Sequence, residues 1–381
     1  MRYFIKEDDI EQELIDVCMN ELHYDHHFDC MNIDHLHRKN EVEVLNLDVL
    51  RQAIRSVNNE ATDRPQGMTD AEVEQAIDAI RASDLNVDGH ILNQRILTTI
   101  ISGCRMQVLQ SNGHKELRTV HYIDWKEGNA DNNQFDVINQ LWIQGQVYRL
   151  RPDVIVYING IPLVTIELKD SNIPVREAYD NNLTRYKAAI PQIMAYNAFL
   201  VASNATKTRL GSTFADWTYF SPWFRASEDE KADKEQLEAD KTTLDAMARS
   251  LLKKENLLNY IANYILFYKG TNKICAKNHQ FLGVNRAVER FRYLQFGKPK
   301  ADEQGKMGVF WHTQGSGKSF SMVFLARYLK NRFQGNYTFL VITDREDLDD
   351  QIYRNFLHSG FMSEQEDCRP QSSERLREML T

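Results

Sequence analysis

Three side chains around one predicted hairpin have the chemistry needed to bind Mg²⁺ and to attack a phosphate ester. They are Asp153, Glu167 and Lys169. Two carboxylates and a nearby backbone carbonyl are oxygen donors of the kind that Mg²⁺ prefers, and the ion keeps several waters. The metal would polarise the phosphate and lower the pKa of an attacking water, while the lysine orients that water or stabilises charge on the pentacovalent phosphate. The alternative is a surface strand that ends in ordinary charges.

The strands on either side of Asn159-Gly160 decide whether these side chains meet. Asn-Gly between two apolar runs predicts a hairpin turn. A two-residue loop would place Asp153 opposite Ile166, on the wrong face for Glu167, because side chains alternate between the faces of a strand. A three-residue loop with the glycine in a left-handed bulge would pair Asp153 with Thr165 and restore the shared face. We therefore predict the three-residue loop.

A second chemical site is predicted at His312–Ser319, where an apolar strand leads through a glycine-containing loop into a helix. Backbone N–H groups at such a helix start bind phosphates, Lys318 would reach the β- and γ-phosphate oxygens, and Ser319 would ligate Mg²⁺. His312 stands where the strict pattern has glycine, so the alternative is a chance glycine-rich turn. The predicted nucleotide-binding residues of this loop are Thr313, Gln314, Gly315, Ser316, Gly317, Lys318 and Ser319.

The elements that must position both sites are predicted from hydrophobic periodicity and turn signals. A capping box at Thr69–Glu72 marks one helix start. Near the C-terminus, strand, helix and strand predict one parallel βαβ unit. Helices are predicted over 8–22, 69–80, 91–109, 175–187, 284–294 and 319–333, and strands over 198–202, 307–311 and 338–343.

A charged segment separates two parts of the chain. Residues 225–256 are dominated by charge, and four leucines recur every seven residues, at Leu237, Leu244, Leu251 and Leu258. The pattern is too short for a coiled coil and predicts a linker helix that rests its leucines on a neighbouring domain. The predicted domains are an endonuclease domain at 1–224, a charged helical linker at 225–268 and a partial ATP-binding domain at 269–381.

Composition limits the class of protein. The 381 residues include 46 Lys and Arg against 54 Asp and Glu, a net charge of −8, which argues mildly against DNA binding unless a local basic surface outweighs it. No window approaches the roughly 18 apolar residues of a membrane span, and no signal-peptide core is present. The scattered cysteines are typical of reduced thiols, so we expect a cytoplasmic protein with no membrane partner. His23, His26, His27 and Cys30 match no regular zinc spacing, and a zinc site is rejected.

Several short motifs occur in the order found in one known family. Together they resemble the nuclease domain of the restriction (motor) subunit of type I restriction-modification enzymes, and nearly all of the chain resembles the N-terminal part of that subunit. It implies an α/β fold: a PD-(D/E)xK nuclease domain with a mixed sheet flanked by helices, then a truncated RecA-like parallel α/β domain. The motifs are Tyr122-Ile-Asp124-Trp, Asn133-Gln-Phe135-Asp-Val137, Arg151-Pro-Asp153, Asn159-Gly-Ile-Pro-Leu-Val164 and Ile166-Glu-Leu-Lys169.

The same resemblance implies roles for individual residues. Asp153, Glu167 and Lys169 become the cleavage triad, and Glu11 on the first helix is a candidate accessory acid. Tyr186 matches the tyrosine of the family's Gln-x-x-x-Tyr motif, but Asn182 replaces the glutamine. In the C-terminal part, Gln280 resembles the residue that reads adenine in superfamily 2 helicases, His312–Ser319 resembles their motif I, and Val341–Arg345 resembles motif Ia, which contacts the DNA backbone.

These features lead to two hypotheses. The first is a Mg²⁺-dependent DNA endonuclease joined to an ATP-driven motor, which cleaves unmodified foreign double-stranded DNA in a complex with methyltransferase and specificity subunits. The second is a non-catalytic fragment that binds nucleotide or partner subunits. Convergence of the triad on one pocket would favour the first. Since no Walker B strand follows Arg345 and no second lobe is present, we expect no efficient ATP hydrolysis by this chain.

Overall fold

A seven-stranded mixed sheet forms the centre of the fold in the computed structural model, which describes residues 4–28, 38–82, 85–225, 242–364, 368–370 and 372–380. Seven of the strands in the described residues form this sheet, and the others form two-stranded sheets. The strands are β1 (Asp25–Phe28), β2 (Cys104–Leu109), β3 (Lys115–Val120), β4 (Phe135–Asn139), β5 (Ile143–Gln144), β6 (Arg149–Leu150), β7 (Val154–Ile158), β8 (Ile161–Leu168), β9 (Phe199–Ser203), β10 (Thr208–Gly211), β11 (Ser221–Pro222), β12 (Ile265–Tyr268) and β13 (Asn272–Cys275).

The order of strands in this sheet is β1-β4-β7-β8-β9-β10-β11. β1 runs parallel to β4 and β8 parallel to β9, whereas the other neighbours are antiparallel. All residues of β4, β7, β8 and β9 are buried, which fits central strands covered on both faces. The predicted mixed sheet flanked by helices is therefore confirmed.

Helices cover the sheet and form most of the C-terminal part. They are α1 (Glu7–Asp16), α2 (Leu47–Val57), α3 (Asp70–Ile80), α4 (Gly89–Ser102), α5 (Thr184–Ala189), α6 (Pro191–Met194), α7 (Thr243–Leu251), α8 (Lys254–Asn263), α9 (Asn278–Phe296), α10 (Lys318–Arg332), α11 (Glu346–His358) and α12 (Ser373–Leu380), with π-helical turns at Val17–Glu21 and Ala178–Leu183. Among the described residues, none of these helices combines the length and apolarity needed to cross a membrane.

The helix predicted over 69–80 agrees with the structure to within one residue, whereas the start predicted at 284 is wrong, because α9 begins at Asn278. The capping box of α3 is present, with the Glu72 carboxylate accepting from the Thr69 N–H at 2.7 Å. The predicted helix over 91–109 is too long, because Gly103 has φ +80° and ends α4. A Cβ at Gly103 would lie 2.8 Å from the Val120 carbonyl oxygen, so the chain turns there and continues as β2.

The predicted linker helix is two helices. α7 and α8 follow each other with a break between them, and Leu244, Leu251 and Leu258 are buried as the heptad spacing predicted. Leu237 lies outside the described residues. The aromatic rings of Trp223, Tyr260 and Phe281 pack together beside these helices, so the leucine face belongs to a shared core.

The predicted parallel βαβ unit near the C-terminus is wrong for its strands. The helix forms as α10, but residues 307–311 and 338–343 belong to no strand. Val309, Trp311 and Ile342 are 93%, 78% and 84% exposed, so these segments have the composition of buried strands without a neighbouring strand in the described chain. A strand forms only when its backbone groups pair, which apolar composition alone cannot supply.

A buried lysine connects the β12–β13 hairpin to the central sheet. The ammonium of Lys273 donates to Asn93 Oδ1 and to the Asn197 carbonyl, both at 2.8 Å, and to the Thr213 hydroxyl. These acceptors are all neutral, so burial dominates and lowers the pKa of Lys273 to about 7.

This lysine predicts a rise in stability at alkaline pH. Unfolded lysine keeps its proton to about pH 10, whereas folded Lys273 loses it near pH 7, so unfolding takes up a proton between these values and stability rises with pH. Urea unfolding at pH 7 to 10 should show a gain of roughly 3 kcal/mol that Lys273→Met abolishes. Lys269→Met, at the exposed turn of the same hairpin, should retain the gain; an equal slope in both variants would contradict this assignment.

Candidate active site

The hairpin that carries the three predicted side chains turns at Asn159-Gly160. Both residues have positive φ, 51° and 77°, as in a two-residue turn whose twist matches that of the strands. A Cβ at Gly160 would lie 2.4 Å from the Asn46 carbonyl oxygen, so glycine is required. The Asn159 amide accepts from the Gln134 N–H at 2.8 Å and donates to the Tyr122 carbonyl at 2.9 Å. The predicted three-residue loop is therefore wrong.

The register changes inside the strands instead of in the loop. Tyr157 pairs with Pro162 next to the turn, but Val156 pairs with Val164, so Leu163 is an extra residue in β8. Proline has no N–H to donate to a neighbouring strand, so a β-bulge beside Pro162 loses few of the hydrogen bonds between the strands. The bulge shifts all later pairs of the hairpin by one residue.

This shift brings the two predicted carboxylates together. Val154 pairs with Ile166, and the same register places Asp153 opposite Glu167, rather than opposite Thr165 as predicted. Residues directly opposite each other on antiparallel strands share a face. The predicted shared face is thus present, although it results from the bulge in β8.

Asp153 and Glu167 are both buried and share a side-chain hydrogen bond. The Leu168 N–H donates to Asp153 Oδ2 at 2.7 Å. Burial, the largest effect, raises the pKa of Asp153 to about 6. Burial and then the Asp153 charge raise the pKa of Glu167 well above its usual range. Because two buried carboxylates at this distance repel each other, both can ionise only when a cation binds between them.

Lys169 stands at the open end of this pair. Its ammonium lies 3.4 Å from Glu167 Oε1 and 3.4 Å from Glu7 Oε2, and it donates to the Leu168 carbonyl at 2.5 Å. Burial lowers the pKa of Lys169, but the carboxylates of Glu167, Asp153 and Glu7 together raise it above its ordinary value. Sequence reasoning missed Glu7, because an acidic first turn is ordinary for any helix.

Glu11 lies on the same site, one helical turn beyond Glu7. It accepts from Asn139 Nδ2 at 2.7 Å and from Gln140 Nε2, and burial raises its pKa. Gln140 Nε2 also lies 3.5 Å from Asp153 Oδ1. The structure therefore brings the predicted accessory acid to the triad, through two amides that no sequence pattern singled out.

Tyr186 completes the site from the other side. Its hydroxyl donates to Glu167 Oε2 at 2.9 Å, and burial raises its pKa. Asn182, which replaces the glutamine of the family motif, hydrogen-bonds to the same tyrosine. The shorter amide therefore reaches Tyr186 rather than the carboxylates.

The donor set fits a hard divalent cation that retains waters. Asp153, Glu167 and Glu11 supply carboxylate oxygens, and such a site needs only one or two direct carboxylate ligands for Mg²⁺. Within the described ranges, no group of three or more His, Cys, Asp or Glu side chains is placed so that all of them could hold one metal ion, so direct ligation would come from one or two of these carboxylates with waters filling the other positions. Of the rejected zinc cluster, Cys30 and the side chains of His26 and His27 lie outside the described residues.

The predicted phosphate loop is present as a turn into α10. Gly315 and Gly317 have φ +77° and +92°, and α10 begins at Lys318. Lys318 Nζ donates to the carbonyls of His312 and Thr313, at 2.8 and 3.1 Å, so the ammonium is held by its own loop. The Ser319 hydroxyl accepts from Gln351 Nε2 at 3.4 Å, and Thr313 and Gln314 are exposed.

Gln280 lies against this loop and is buried. Its Nε2 donates to the Gly317 carbonyl at 2.9 Å and to the Ser321 hydroxyl at 3.3 Å, while its Oε1 accepts from the Lys277 N–H at 2.9 Å. Gln280 and the loop are therefore adjacent. Because both amide atoms have partners, reading adenine would require Gln280 to exchange them.

Two family models match this chain, one over each of its two parts. The family model described as type I restriction enzyme R protein N terminus (HSDR_N) matches residues 4–219, more than half of the chain. The chain belongs to this family. A SWI2/SNF2 ATPase model also matches residues 279–381, the part that carries Gln280 and the phosphate loop.

The curated relatives of this chain are named as endonuclease subunits. The chain is 33% identical over 348 residues to the type I restriction enzyme HindI endonuclease subunit of Haemophilus influenzae, covering 88% of this chain and 31% of that protein. It is 34% identical over 318 residues to the putative MjaIXP endonuclease subunit of Methanocaldococcus jannaschii, covering 78% and 29%. The chain thus spans about a third of the length of these relatives.

The buried carboxylates predict a stability cost at neutral pH. Folded Asp153 holds its proton to about pH 6 and the unfolded residue only to about pH 4, so stability falls as pH rises through this window and the penalty is complete above it. In EDTA at pH 7.5, Asp153→Asn should raise the free energy of unfolding by about 1–3 kcal/mol, with no gain at pH 4. Asp302→Asn, an exposed control, should change neither value; destabilisation by Asp153→Asn at pH 7.5 would refute the assignment.

Proposed function

We propose that this chain is the nuclease and nucleotide-binding part of a restriction enzyme R subunit, and that Asp153, Glu167 and Lys169 cleave DNA with Mg²⁺. The observation that carries the proposal is the convergence of these three side chains on one buried face of the β7–β8 hairpin. The rival hypothesis, a non-catalytic fragment, gives no reason to bury two mutually repelling carboxylates beside a lysine. The PD-(D/E)xK assignment is part of this proposal.

The charge balance of the site supports a cation. Glu7, Asp153 and Glu167 all act on the ammonium of Lys169, so full ionisation of these three acids would leave an excess of two negative charges. Bound Mg²⁺ would offset this charge, polarise the scissile phosphate and activate a water. Lys169, held at the solvent end by Glu7 and Glu167, is placed to orient that water or to stabilise negative charge on the phosphate.

A basic and aromatic surface beside the site supports DNA as the substrate despite the acidic net charge. The guanidinium of Arg151 lies 5.1 Å from the centre of the Trp142 ring, and that of Arg149, which is also paired with Glu41, lies 3.9 Å from it. Arg185 lies 5.4 Å from the exposed Tyr148 ring. Arg151 is adjacent in sequence to the triad strand, so DNA phosphates could be held next to the carboxylates.

The second half of the proposal is ATP binding at the phosphate loop. The N–H groups at the start of α10 would bind phosphates, Lys318 would exchange its loop carbonyls for phosphate oxygens, and Ser319 would ligate Mg²⁺. Gln280 would read adenine. In the complete cytoplasmic complex, ATP-driven translocation would precede cleavage of unmodified double-stranded DNA selected by the methyltransferase and specificity subunits, and the RecA-like assignment belongs to this proposal.

Lys169 provides the test of the nuclease. In the assembled complex, Lys169→Ala should abolish cleavage of unmodified plasmid DNA, because no other ammonium among the described residues contacts Glu167. Lys207→Ala, an exposed lysine in the β9–β10 turn, is the matched control and should cleave normally. Cleavage by Lys169→Ala at the wild-type rate would remove Lys169 from the mechanism.

Lys318 provides the test of nucleotide binding. Calorimetric titration of this chain with Mg²⁺ and a non-hydrolysable ATP analogue should show weak binding, which Lys318→Ala abolishes because the charged phosphate contact is lost. Lys330→Ala, at the far end of the same helix, should bind as the wild type does. Phosphate release from ATP at the rate of a working helicase would contradict the expectation of negligible turnover.

A further inference from the structure

Gln140 has an unusual backbone at the edge of the candidate active site. It follows β4 directly and has φ +55°, in the left-handed region that residues with a Cβ rarely adopt. Glycine would adopt this conformation without strain, so the backbone alone does not explain why a glutamine stands here. A strained non-glycine residue at a site indicates that its side chain has a use.

The left-handed conformation lets one residue contact Asp153 twice and Glu11 once. The Gln140 N–H donates to the Asp153 carbonyl at 2.8 Å, which fixes the backbone before the triad strand begins. The side-chain Nε2 then lies between two carboxylates, donating to Glu11 Oε2 and approaching Asp153 Oδ1 to 3.5 Å. Asn139 donates to the other Glu11 oxygen at 2.7 Å, so two successive amides hold one carboxylate.

We propose that Gln140 is a positioning residue for the divalent cation: its amide holds Glu11 next to Asp153 so that both carboxylates face the same ion. The inference rests on the proposed function and extends it to a residue outside the triad. Without the Gln140 donor, no amide bridges the two carboxylates, which then repel each other, and Glu11 keeps only its contact with Asn139. Each carboxylate oxygen that accepts from an amide still has a lone pair for the cation or for a water bound to it.

Gln140→Gly separates this role from a structural one. The variant deletes the amide and relaxes the backbone, so the thermal midpoint in EDTA should stay the same or rise. Affinity for Mn²⁺ alone, measured by calorimetry and by the electron paramagnetic resonance signal of free Mn²⁺, should fall roughly 10–100-fold. Lys269→Gly relaxes the same φ of +55° at a turn away from the site and should bind Mn²⁺ as the wild type does.

A double-mutant cycle tests whether Gln140 acts through Glu11. Adding Gln140→Gly to Glu11→Gln should cost less than about threefold in Mn²⁺ affinity, because the amide then has no carboxylate to position. Losses that multiply would overturn the inference, as would a Gln140→Gly affinity within threefold of wild type. In those cases the proposed nuclease site still stands, whereas a wild-type chain that binds no Mn²⁺ would overturn both.

Discussion

The register of the β7–β8 hairpin is the constraint on which the rest of the site depends. A two-residue turn without a bulge would place Asp153 opposite Ile166 and turn it away from Glu167. The extra residue Leu163 moves the pairing by one and makes the two acids direct neighbours across the strands. The turn cannot slip to compensate, because Gly160 is packed against the Asn46 backbone and the Asn159 side chain is fully hydrogen-bonded.

Once the register is fixed, the N-terminal segment closes the site. Ile5 and Ser171 exchange hydrogen bonds of 2.9 and 3.0 Å, and the Glu7 N–H donates to Asp170 Oδ1 at 2.7 Å. These contacts tie the start of α1 to the residues just after Lys169. One helix therefore delivers Glu7 to the ammonium and, one turn later, Glu11 to the amide of Gln140. Two regions separated by about 150 residues of chain must fold together before the carboxylates converge.

The family resemblance was sufficient to predict which residues meet, but neither it nor the sequence spacing showed how they do so. Asp153, Glu167, Lys169, Glu11 and Tyr186 all lie at one site, as their order in the chain predicted. The bulge could not be located, because a strand's alternation does not show where an extra residue falls. The sequence analysis did not single out Gln140 and Glu7, because a polar residue at a strand end and an acid at a helix start are both common. The segments at 307–311 and 338–343 had strand composition, yet pairing depends on partners distant in sequence.

The two candidate sites differ in how much of their geometry is local. The triad is complete because both of its strands pair within the central sheet and every carboxylate contact is supplied by described residues. The phosphate loop has its local part, since the glycines turn and α10 begins at Lys318. Its preceding segment is unpaired, with Trp311 exposed, and the Lys318 ammonium is bound to the carbonyls of His312 and Thr313. A phosphate bound to Lys318 would have to compete with those two carbonyls for the ammonium.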